Sequence, residues 1–234
     1  MIDVTAILTA HAEGPIGGPT IRSFEETIGR ATSEGLSVES VIVLDRPTAA
    51  TRLQYAQAST RGHRLIETSE GDPGLSRNAG VRAANGTFVC FLDGDDLWGN
   101  NWIAAAYAFC RDRAATIAHS EFNVVFGLCR EIWIHADSTD PAFDPDYLRV
   151  GNYWDAMSFG LRDIYVDHPF KENNIALGFG HEDWHWNCET YAAGLAHRPV
   201  PNTVHYKRRR SESQMARCEE RDVVPWPSAM TPYG

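Results

Sequence analysis

Short apolar runs alternate with amphipathic stretches along the first half of the chain. Four runs are predicted as strands because each is short and rich in β-branched residues: 4–9, 37–45, 63–69 and 87–93. Three helices are predicted between them: 21–35, a stretch that ends near Ser59, and 74–86. In the first of these helices, Phe24, Ile28 and Ala31 recur at helical spacing, and a glycine follows the last turn.

The predicted strands are apolar over most of their length, and TFVCFLD (87–93) is almost wholly so. Strands without polar alternation are buried on both faces, which is typical of a parallel sheet built from β-α-β units. Ligands of such α/β sheets bind beyond the carboxyl ends of the strands. Three of the strands end in polar residues, namely Thr9 with His11, Asp45, and the run from Asp93 to Asp96.

The pattern of the second half is less regular. A helix is predicted over 102–114, two antiparallel strands over 116–127 and 130–137, and another helix over 182–194. Residues 140–155 are predicted as a loop with one helical turn, and the Pro-rich segment after Asp222 as extended. The simplest domain organisation is one domain over 1–222, with halves 1–98 and 99–222, followed by a tail over 223–234.

Composition and charge narrow the class of protein. The 234 residues carry a net charge of -10, which argues against nucleic acid or an anionic membrane as the main partner, although Lys207–Arg210 is a local basic run. The five cysteines form no C-x-x-C pair, which predicts reduced thiols and no cysteine zinc site. The first residues lack the features of a signal peptide, and no apolar run reaches about 18 residues. A cytoplasmic protein without a transmembrane segment is predicted.

The segment FLDGDDLW (91–98) carries the strongest chemical signal. A buried strand delivers three carboxylates to one loop, where their repulsion is costly unless a cation neutralises it. A hard divalent ion, Mg or Mn, suits such oxygen ligands. An EF-hand calcium loop would also need ligands at Leu97 and Ala104, which have none to offer. A simple acidic turn stays open as the alternative.

The segment HEDWH (181–185) has two incompatible interpretations. As H-E-x-x-H it is the signature of a zinc hydrolase, with His181 and His185 as ligands and Glu182 as the base. The extended form of that motif would require Gly and His where Cys188 and Tyr191 stand, and the other source of a third ligand, a glutamate further along the chain, is unspecific. Alternatively, Glu182 and Asp183 open a helix, where the helix dipole favours acidic residues.

The block GLSRNAGVRAANGTFVCFLDGDDLWGNNWI (74–103) resembles family 2 glycosyltransferases with the nucleotide-diphospho-sugar transferase (GT-A) fold. The resembling features are the S-R-N-A-G helix, the A-N-G-T turn, the apolar strand and the D-x-D-D loop, in the order typical of the family, and the resemblance spans roughly 3–215. It implies a nucleotide-sugar-binding first half and an acceptor-binding second half. It also implies an inverting, metal-dependent enzyme that transfers a sugar from a UDP- or GDP-sugar to a carbohydrate or lipid-linked acceptor, in polysaccharide or glycoconjugate synthesis.

The resemblance also implies residue roles. The expected metal ligands for Mn or Mg are Asp95, Asp93 and His205, with Asp96 assisting. The expected donor-binding residues are Thr9, Ala10, His11, Asp45, Arg77, Asp93, Gly94, Lys207 and Arg209. Of these, Asp45 corresponds to the acid that recognises the nucleobase, and Arg77 to the arginine that reaches the base or diphosphate.

In the same family an acidic pair opens a helix beside the acceptor, which favours the second interpretation of HEDWH. Asp183 is then the expected catalytic base with Glu182 as its partner, and Trp184 and His181 are expected to bind the acceptor. Three alternatives stay open: a zinc-dependent hydrolase that uses His181, Glu182 and His185, a nucleotidyltransferase, and a non-catalytic nucleotide-sugar binder. A G-x-G-T-R-like loop, typical of nucleotidyltransferases, is absent from the sequence.

Overall fold

A nine-stranded, mostly parallel sheet with helices on both faces forms the centre of the protein. The computed structural model describes residues 1–211 and 213–231. The strands of the described residues are β1 (Val4–Ala10), β2 (Val38–Asp45), β3 (Arg64–Thr68), β4 (Phe88–Asp93), β5 (Leu97–Trp98), β6 (Thr116–Gly127), β7 (Glu131–Ile134), β8 (Phe159–Leu161), β9 (Phe179–Gly180), β10 (Ala196–Arg209) and β11 (Val224–Pro225). The α-helices are α1 (Gly17–Ser33), α2 (Ala49–Tyr55), α3 (Pro73–Ala83), α4 (Trp102–Cys110), α5 (Arg162–Asp167), α6 (Glu182–Ala192) and α7 (Gln214–Glu220).

The strand order of the sheet is β3-β2-β1-β4-β8-β6-β10-β5, and β7 pairs with residues 122–125 of β6. The pairs β1–β2, β1–β4 and β2–β3 are parallel, as the α/β pattern of the first half predicts. In the second half, β10 runs parallel to β6, while β7 and β8 pair with β6 in the antiparallel direction. The sheet is therefore continuous across the two halves of the chain.

Side chains of β1 alternate between two buried layers. Leu8 belongs to one hydrophobic core, beneath α1 and α4, whereas its neighbour Ile7 belongs to a second core that includes residues of α3, α5 and α6. Both residues have no exposed surface. Because helices cover both faces of the sheet, the strand needs apolar residues at every position, which explains the absence of polar alternation in the sequence.

The glycine of the S-R-N-A-G helix has a packing role. A Cβ atom at Gly80 would lie 2.5 Å from Cγ2 of Ile7 on β1, and 3.3 Å from Cγ2 of Val43 on β2. Helix α3 can therefore lie this close to the sheet only with glycine at that position. The close packing fixes the helix that carries Arg77, three residues earlier, over the carboxyl ends of β1 and β4.

The predicted strands and helices of the first half are confirmed, with shifts at their ends. Helix α1 starts four residues before Ile21, because residues Gly14–Ile16 form a short 3-10 helix that runs directly into α1. The loop over 140–155 contains one 3-10 turn, Pro145–Arg149, as predicted. Helix α7 was not predicted; Ser213 caps its start by accepting the N–H of Ala216.

The segment after Asp222, predicted as an extended tail, packs against the protein as far as Thr231. Strand β11 pairs in parallel with β9, and the ring of Trp226 stacks on Phe179 with 4.1 Å between centroids. The indole N–H of Trp226 donates to the carbonyl of Glu172. Residues 232–234 lie outside the described part. No helix within the described residues is long and apolar enough to cross a membrane.

Candidate functional site

A cleft of about 630 Å³ opens at the carboxyl ends of β1, β2 and β4. The first half of the chain contributes the strand-end residues Thr9, Asp45 and Asp93 to its lining, where ligands of α/β sheets bind. The second half contributes Asp183 and Lys207. Residues separated by more than one hundred positions in the sequence therefore share one cavity.

Predicted site residues that line the cleft are Thr9, Ala10, His11, Asp45, Arg77, Asp93, Gly94, Asp95, Asp96, His181, Glu182, Asp183, Trp184, Lys207 and Arg209. His205 is the exception. Its ring is fully buried against Trp102, with 4.5 Å between the ring centroids, and burial lowers its pKa to about 3. His205 lies two residues before Lys207 on β10, a distance of about 7 Å along the strand, and its ring stays beneath the cleft. The structure thus does not bring His205 into the lining of the cleft, and its metal contact stays a prediction.

At one end of the cleft, the carboxylate of Asp45 is held by the protein itself. One oxygen accepts the Thr68 hydroxyl at 3.1 Å and the other accepts the Gly71 N–H at 2.7 Å. His11 Nδ1 donates to the Asp45 carbonyl at 2.6 Å, because a carbonyl can only accept. This hydrogen bond leaves Nε2 of His11 as an acceptor. The end of the cleft thus offers fixed polar groups that can read the edge of a planar base.

The acidic loop after β4 is neutralised by protein cations. Arg77, which is 3% exposed, donates to both oxygens of Asp93 at 2.7 and 2.8 Å. Burial alone would raise the pKa of Asp93, but the charge of Arg77 lowers it below its usual value. Nε of Arg210 lies 3.0 Å from the carboxylate of Asp95, without hydrogen-bond geometry. Burial and the charge of Asp93 raise the pKa of Asp95, whereas the charge of Arg210 opposes this rise. Of the two acids, Asp93 is thus the one whose negative charge the protein stabilises.

Asp96 differs from the other two acids of the loop. It is 3% exposed and accepts the backbone N–H of Arg208 at 2.6 Å, which ties the loop to β10. Burial raises its pKa well above the usual value, and the neighbouring charges of Asp95 and Asp93 raise it further. Asp96 therefore holds the loop in place, whereas Asp95 lines the cleft beside Arg210.

The donor set of the loop fits a divalent ion that shares its ligands with a substrate. Among the described residues, no group of three or more His, Cys, Asp or Glu side chains is placed to hold a metal alone. Mg-type ions are commonly held by one or two carboxylates together with phosphate oxygens and water. Glu13 lies beside Asp95 and has a buried oxygen without a hydrogen-bond partner, which is a further oxygen available to a cation.

Glu182 joins the acidic loop to the start of α6. One of its oxygens accepts Arg77 at 2.9 Å, and the other accepts the side-chain amide of Asn173 at 2.9 Å. The same amide donates to Asp72, the N-cap of α3, at 2.9 Å. Both oxygens of Glu182 are therefore engaged, and its position suits a positioning residue better than a proton acceptor.

Asp183 has the properties of a general base. It lines the cleft in the first turn of α6, and its Oδ1 accepts the N–H of Trp184 at 2.8 Å. Burial, helped by the charge of Glu182, raises the pKa of Asp183 to about 6, whereas the charges of Lys207 and Arg77 oppose this rise. A base with a pKa near the working pH transfers protons efficiently.

The two histidines of HEDWH lie on different sides of α6. His181 lines the cleft in a left-handed backbone conformation with φ of 56°. His185 lines a second, smaller pocket, and its Nδ1 donates to the carbonyl of Trp226 at 3.1 Å. Because the imidazoles do not converge, and no group of three or more His, Cys, Asp or Glu side chains among the described residues could hold a zinc ion, the zinc hydrolase interpretation is contradicted.

The two tryptophans beside Asp183 differ in environment. Trp186 is 2% exposed and stacks on Tyr165 with 5.0 Å between centroids, so it belongs to the core. Trp184 lines the cleft and is partly buried, and its indole N–H donates to the carbonyl of Leu148 at 2.8 Å. The ring of Trp184 is thus fixed from behind, and only part of it faces the cleft.

Three residues of the site were missed by sequence reasoning: Glu13, Asp155 and Asn173. Glu13 follows the first strand by three positions, and its only sequence signal was its proximity to His11. Asp155 and Asn173 lie in irregular segments of the second half, where no periodic pattern locates them. Their roles depend on contacts with distant residues, which the sequence does not display.

Comparisons with known proteins bear on the family and the fold. Residues 5–168 match the model of Glycosyl transferase family 2. A succinoglycan biosynthesis protein, ExoO, of Rhizobium meliloti (strain 1021) is 26% identical over 238 residues, which cover 95% of this chain and 66% of that protein. This chain thus spans just under two thirds of its curated relative.

Two solved structures share the fold at lower identity. S. aureus TarS 1-349 in complex with UDP-GlcNAc is 18% identical with a TM-score of 0.64, over 92% of this chain and 61% of TarS 1-349. GalNAc-T7 with UDP, GalNAc and Mn2+ is 15% identical with a TM-score of 0.64, over 91% of this chain and 45% of that one. The α/β fold is therefore the GT-A fold, and the family match covers most of the chain. The protein belongs to glycosyl transferase family 2.

Proposed function

We propose that the protein is an inverting, metal-dependent glycosyltransferase that moves a sugar from a nucleotide-diphospho-sugar to an acceptor hydroxyl. The observation that carries the proposal is the presence of Asp183, with its raised pKa, in the same cleft as the acidic loop of Asp93 and Asp95. A base on one side and a diphosphate site on the other leave room between them for a reacting sugar. The 630 Å³ volume falls in the range of small-molecule sites.

The donor is proposed to lie along the strand ends. The nucleobase would contact Asp45 and His11, and the diphosphate would lie over Gly94. A Cβ atom at Gly94 would come within 2.9 Å of the carbonyl of Thr9, so the backbone there has room only for glycine. TarS has been solved with UDP and with UDP-GlcNAc, and GalNAc-T7 with UDP. These ligands favour a UDP-sugar among the nucleotide-sugars.

A divalent ion, Mn or Mg, would be held by Asp95, with Asp93 and Glu13 beside it and the donor phosphates completing its ligands. When bound, the ion offsets the negative charge that develops on the leaving diphosphate. The Mn2+ of GalNAc-T7 supports this choice. Arg77 keeps Asp93 ionised, and Arg210 has to leave Asp95 or share it with the ion. Lys207 and Arg209 add positive charge on the opposite side.

The proposed chemistry is a single displacement. The oxygen of the acceptor hydroxyl attacks the anomeric carbon, and its proton passes to the carboxylate of Asp183. The bond between the anomeric carbon and the diphosphate oxygen breaks, and the nucleoside diphosphate leaves with the electron pair. Attack from the face opposite the leaving group inverts the anomeric centre. The acceptor is proposed to be a carbohydrate or a lipid-linked sugar, in keeping with ExoO being a succinoglycan biosynthesis protein.

The test compares two variants at the start of α6. Asp183→Asn keeps the size of the side chain but cannot accept the proton, so we expect transfer to fall by about 10²–10⁴-fold. Donor and Mn affinity, measured by calorimetry, should remain, because those contacts lie on the acidic loop. Donor candidates are first selected with a thermal-shift panel of UDP- and GDP-sugars with and without Mn, since a bound ligand raises apparent stability.

The matched control is the double replacement of His181 and His185 by Gln, which should cost far less than Asp183→Asn. An active Asp183→Asn protein would refute the assigned base. Donor hydrolysis without transfer to any acceptor would indicate a donor-binding module that needs a partner. Release of diphosphate from a nucleoside triphosphate by the wild type would indicate a nucleotidyltransferase.

A further inference from the structure

The floor of the cleft contains a buried ion pair. The ammonium of Lys207 lies 3.3 Å from Oδ2 of Asp155, and the two side chains are 16% and 4% exposed. Burial alone would lower the pKa of Lys207, but Asp155 and the carboxylates of Asp96 and Asp93 raise it. Lys207 is therefore a permanent cation among carboxylates.

Hydrogen bonds hold both carboxylate oxygens of Asp155. Its Oδ1 accepts the N–H of Met157 at 3.1 Å, and its Oδ2 also accepts the side-chain amide of Asn123 at 2.7 Å. His135 Nδ1 donates to the carbonyl of Ser120 at 2.7 Å, which leaves its Nε2 to accept the second N–H of Asn123 at 3.4 Å. Asn123 is fully buried, so this arrangement has no solvent to compete with it.

The ammonium of Lys207 has unused hydrogen-bonding capacity. The ammonium has three N–H groups, and among the described residues only Asp155 accepts a hydrogen bond from it. The charges that act on it include Asp93 and Asp96 of the acidic loop and Asp183 on α6. The donor sugar would lie between the acidic loop and Asp183. The N–H groups of Lys207 that do not bind Asp155 are therefore available to that sugar.

Resting on the proposed function, we infer that Asp155 and Asn123 are positioning residues that hold Lys207 against the hydroxyl groups of the donor sugar. The positive charge of Lys207 is already balanced by the nearby carboxylates of Asp155, Asp93, Asp96 and Asp183. Its attraction for a further anion is therefore weak. A neutral hydroxyl oxygen can accept from it without displacing those partners. The transferred sugar should accordingly be a neutral, hydroxyl-bearing sugar, not one with a carboxylate.

The experiment separates the sugar from the nucleotide. Affinities for UDP and for the UDP-sugar that the wild type binds most tightly are measured by calorimetry with Mn, using UDP-Glc, UDP-Gal, UDP-GlcNAc and UDP-GlcA. Lys207→Met should weaken binding of the UDP-sugar about tenfold or more while changing UDP affinity less than twofold. Asp155→Asn should give the same selective loss, because Asn removes the negative charge that holds the ammonium, and its single carbonyl oxygen cannot replace both carboxylate oxygens, which accept from Lys207, Asn123 and the Met157 N–H. UDP-GlcA should be the weakest ligand of the wild type.

A double-mutant cycle tests the positioning role. If Asp155 acts through Lys207, the Asp155→Asn/Lys207→Met protein should lose no more affinity for the UDP-sugar than Lys207→Met alone. A merely structural role would give additive losses. Removing one partner of a buried pair is strongly destabilising, whereas removing both charges is often tolerated. Should Asp155→Asn fail to fold, Lys207→Met and the double variant still decide the outcome through the ratio of the two affinities.

The matched control is Asp137→Asn. Asp137 forms a half-buried pair with Arg198 on the same strand β10, with 3.0 Å between the charged groups, and neither residue lines the cleft. This variant should leave the ratio of UDP-sugar to UDP affinity unchanged. Equal weakening of both ligands by Lys207→Met, or none, would overturn the inference but leave the proposed function intact. A wild type that binds neither UDP- nor GDP-sugars would overturn both.

Discussion

The two walls of the cleft obtain their functional groups in different ways. In the donor wall (Thr9–Glu13, Asp45, Arg77 and Asp93–Asp96), most side chains directly follow the ends of adjacent parallel strands. In the acceptor wall (Asn152–Asp155 and His181–Trp184), they come from a loop and a helix start that are distant in sequence from those strands. Parallel strands bring their carboxyl ends to one edge automatically, whereas the acceptor wall depends on tertiary packing.

The walls also differ in how their charges are balanced. The acids of the donor wall are neutralised from outside the loop, by Arg77 on α3 and Arg210 after β10. In the acceptor wall, Asp183 forms no ion pair with any of the described residues, and burial raises its pKa. The donor wall is thus suited to binding a charged ligand, and the acceptor wall to exchanging a proton. Four changes test this division.

The largest effect is expected from Asp95→Ala in the donor wall. Loss of this carboxylate should abolish Mn-dependent donor affinity and lower transfer by about 10²–10³-fold, the range typical of losing one group that stabilises developing charge. The fold should persist, because the substitution relieves repulsion among three neighbouring acids. Calorimetry with and without Mn provides the measurement. Mn-dependent affinity equal to that of the wild type would remove Asp95 from the metal site.

The next effect is a pH dependence that belongs to the acceptor wall. Because the pKa of Asp183 is raised to about 6, the base is protonated and inactive below that pH. We expect kcat/KM to fall about tenfold for each pH unit below 6 and to level off above it. An aspartate with an ordinary pKa near 3.9 would keep full activity down to about pH 5. A plateau that extends to pH 4.5 would contradict the assignment of Asp183.

Gly80→Ala tests the packing of α3 on the sheet, on which the donor wall depends. The added methyl would lie 2.5 Å from Cγ2 of Ile7, so we expect a loss of about 1–3 kcal/mol in the free energy of unfolding. Urea denaturation measures this change. Gly29→Ala on α1 is the matched control, since nothing lies within 4 Å of its added methyl, and it should stabilise by about 0.5–1 kcal/mol. Equal effects of the two substitutions would contradict the packing argument.

The smallest effect is expected from His185→Gln, on the side of α6 that faces away from the cleft. The Gln amide can still donate to the carbonyl of Trp226, so transfer should stay within about twofold of the wild type and the loss of stability below about 1 kcal/mol. Activity and metal content are measured on the same preparation. An inactive, metal-free variant would revive the zinc interpretation of HEDWH.

Much of the donor wall was predictable, because its residues stand at the ends of periodic segments. The alternation of short apolar runs with helical stretches located β1, β2 and β4, and the acids after them followed. In the acceptor wall, His181, Glu182, Asp183 and Trp184 were predicted, because an acidic pair that opens a helix is visible in the sequence. Asp155 and Asn173 were missed, because irregular segments have no period that assigns a side chain to a face.

The sequence by itself determined the α/β class, the order of strands and helices in the first half, and the acidic loop, since these depend on local periodicity and on the chemistry of adjacent residues. Tertiary structure alone decided that His205 is buried while Lys207 reaches the cleft, and that Lys207 meets Asp155, 52 positions earlier. It also decided that Glu182 binds Arg77, 105 positions away. Such pairs form because burial leaves each charge only the partners that folding brings within reach, and sequence spacing carries no record of that proximity.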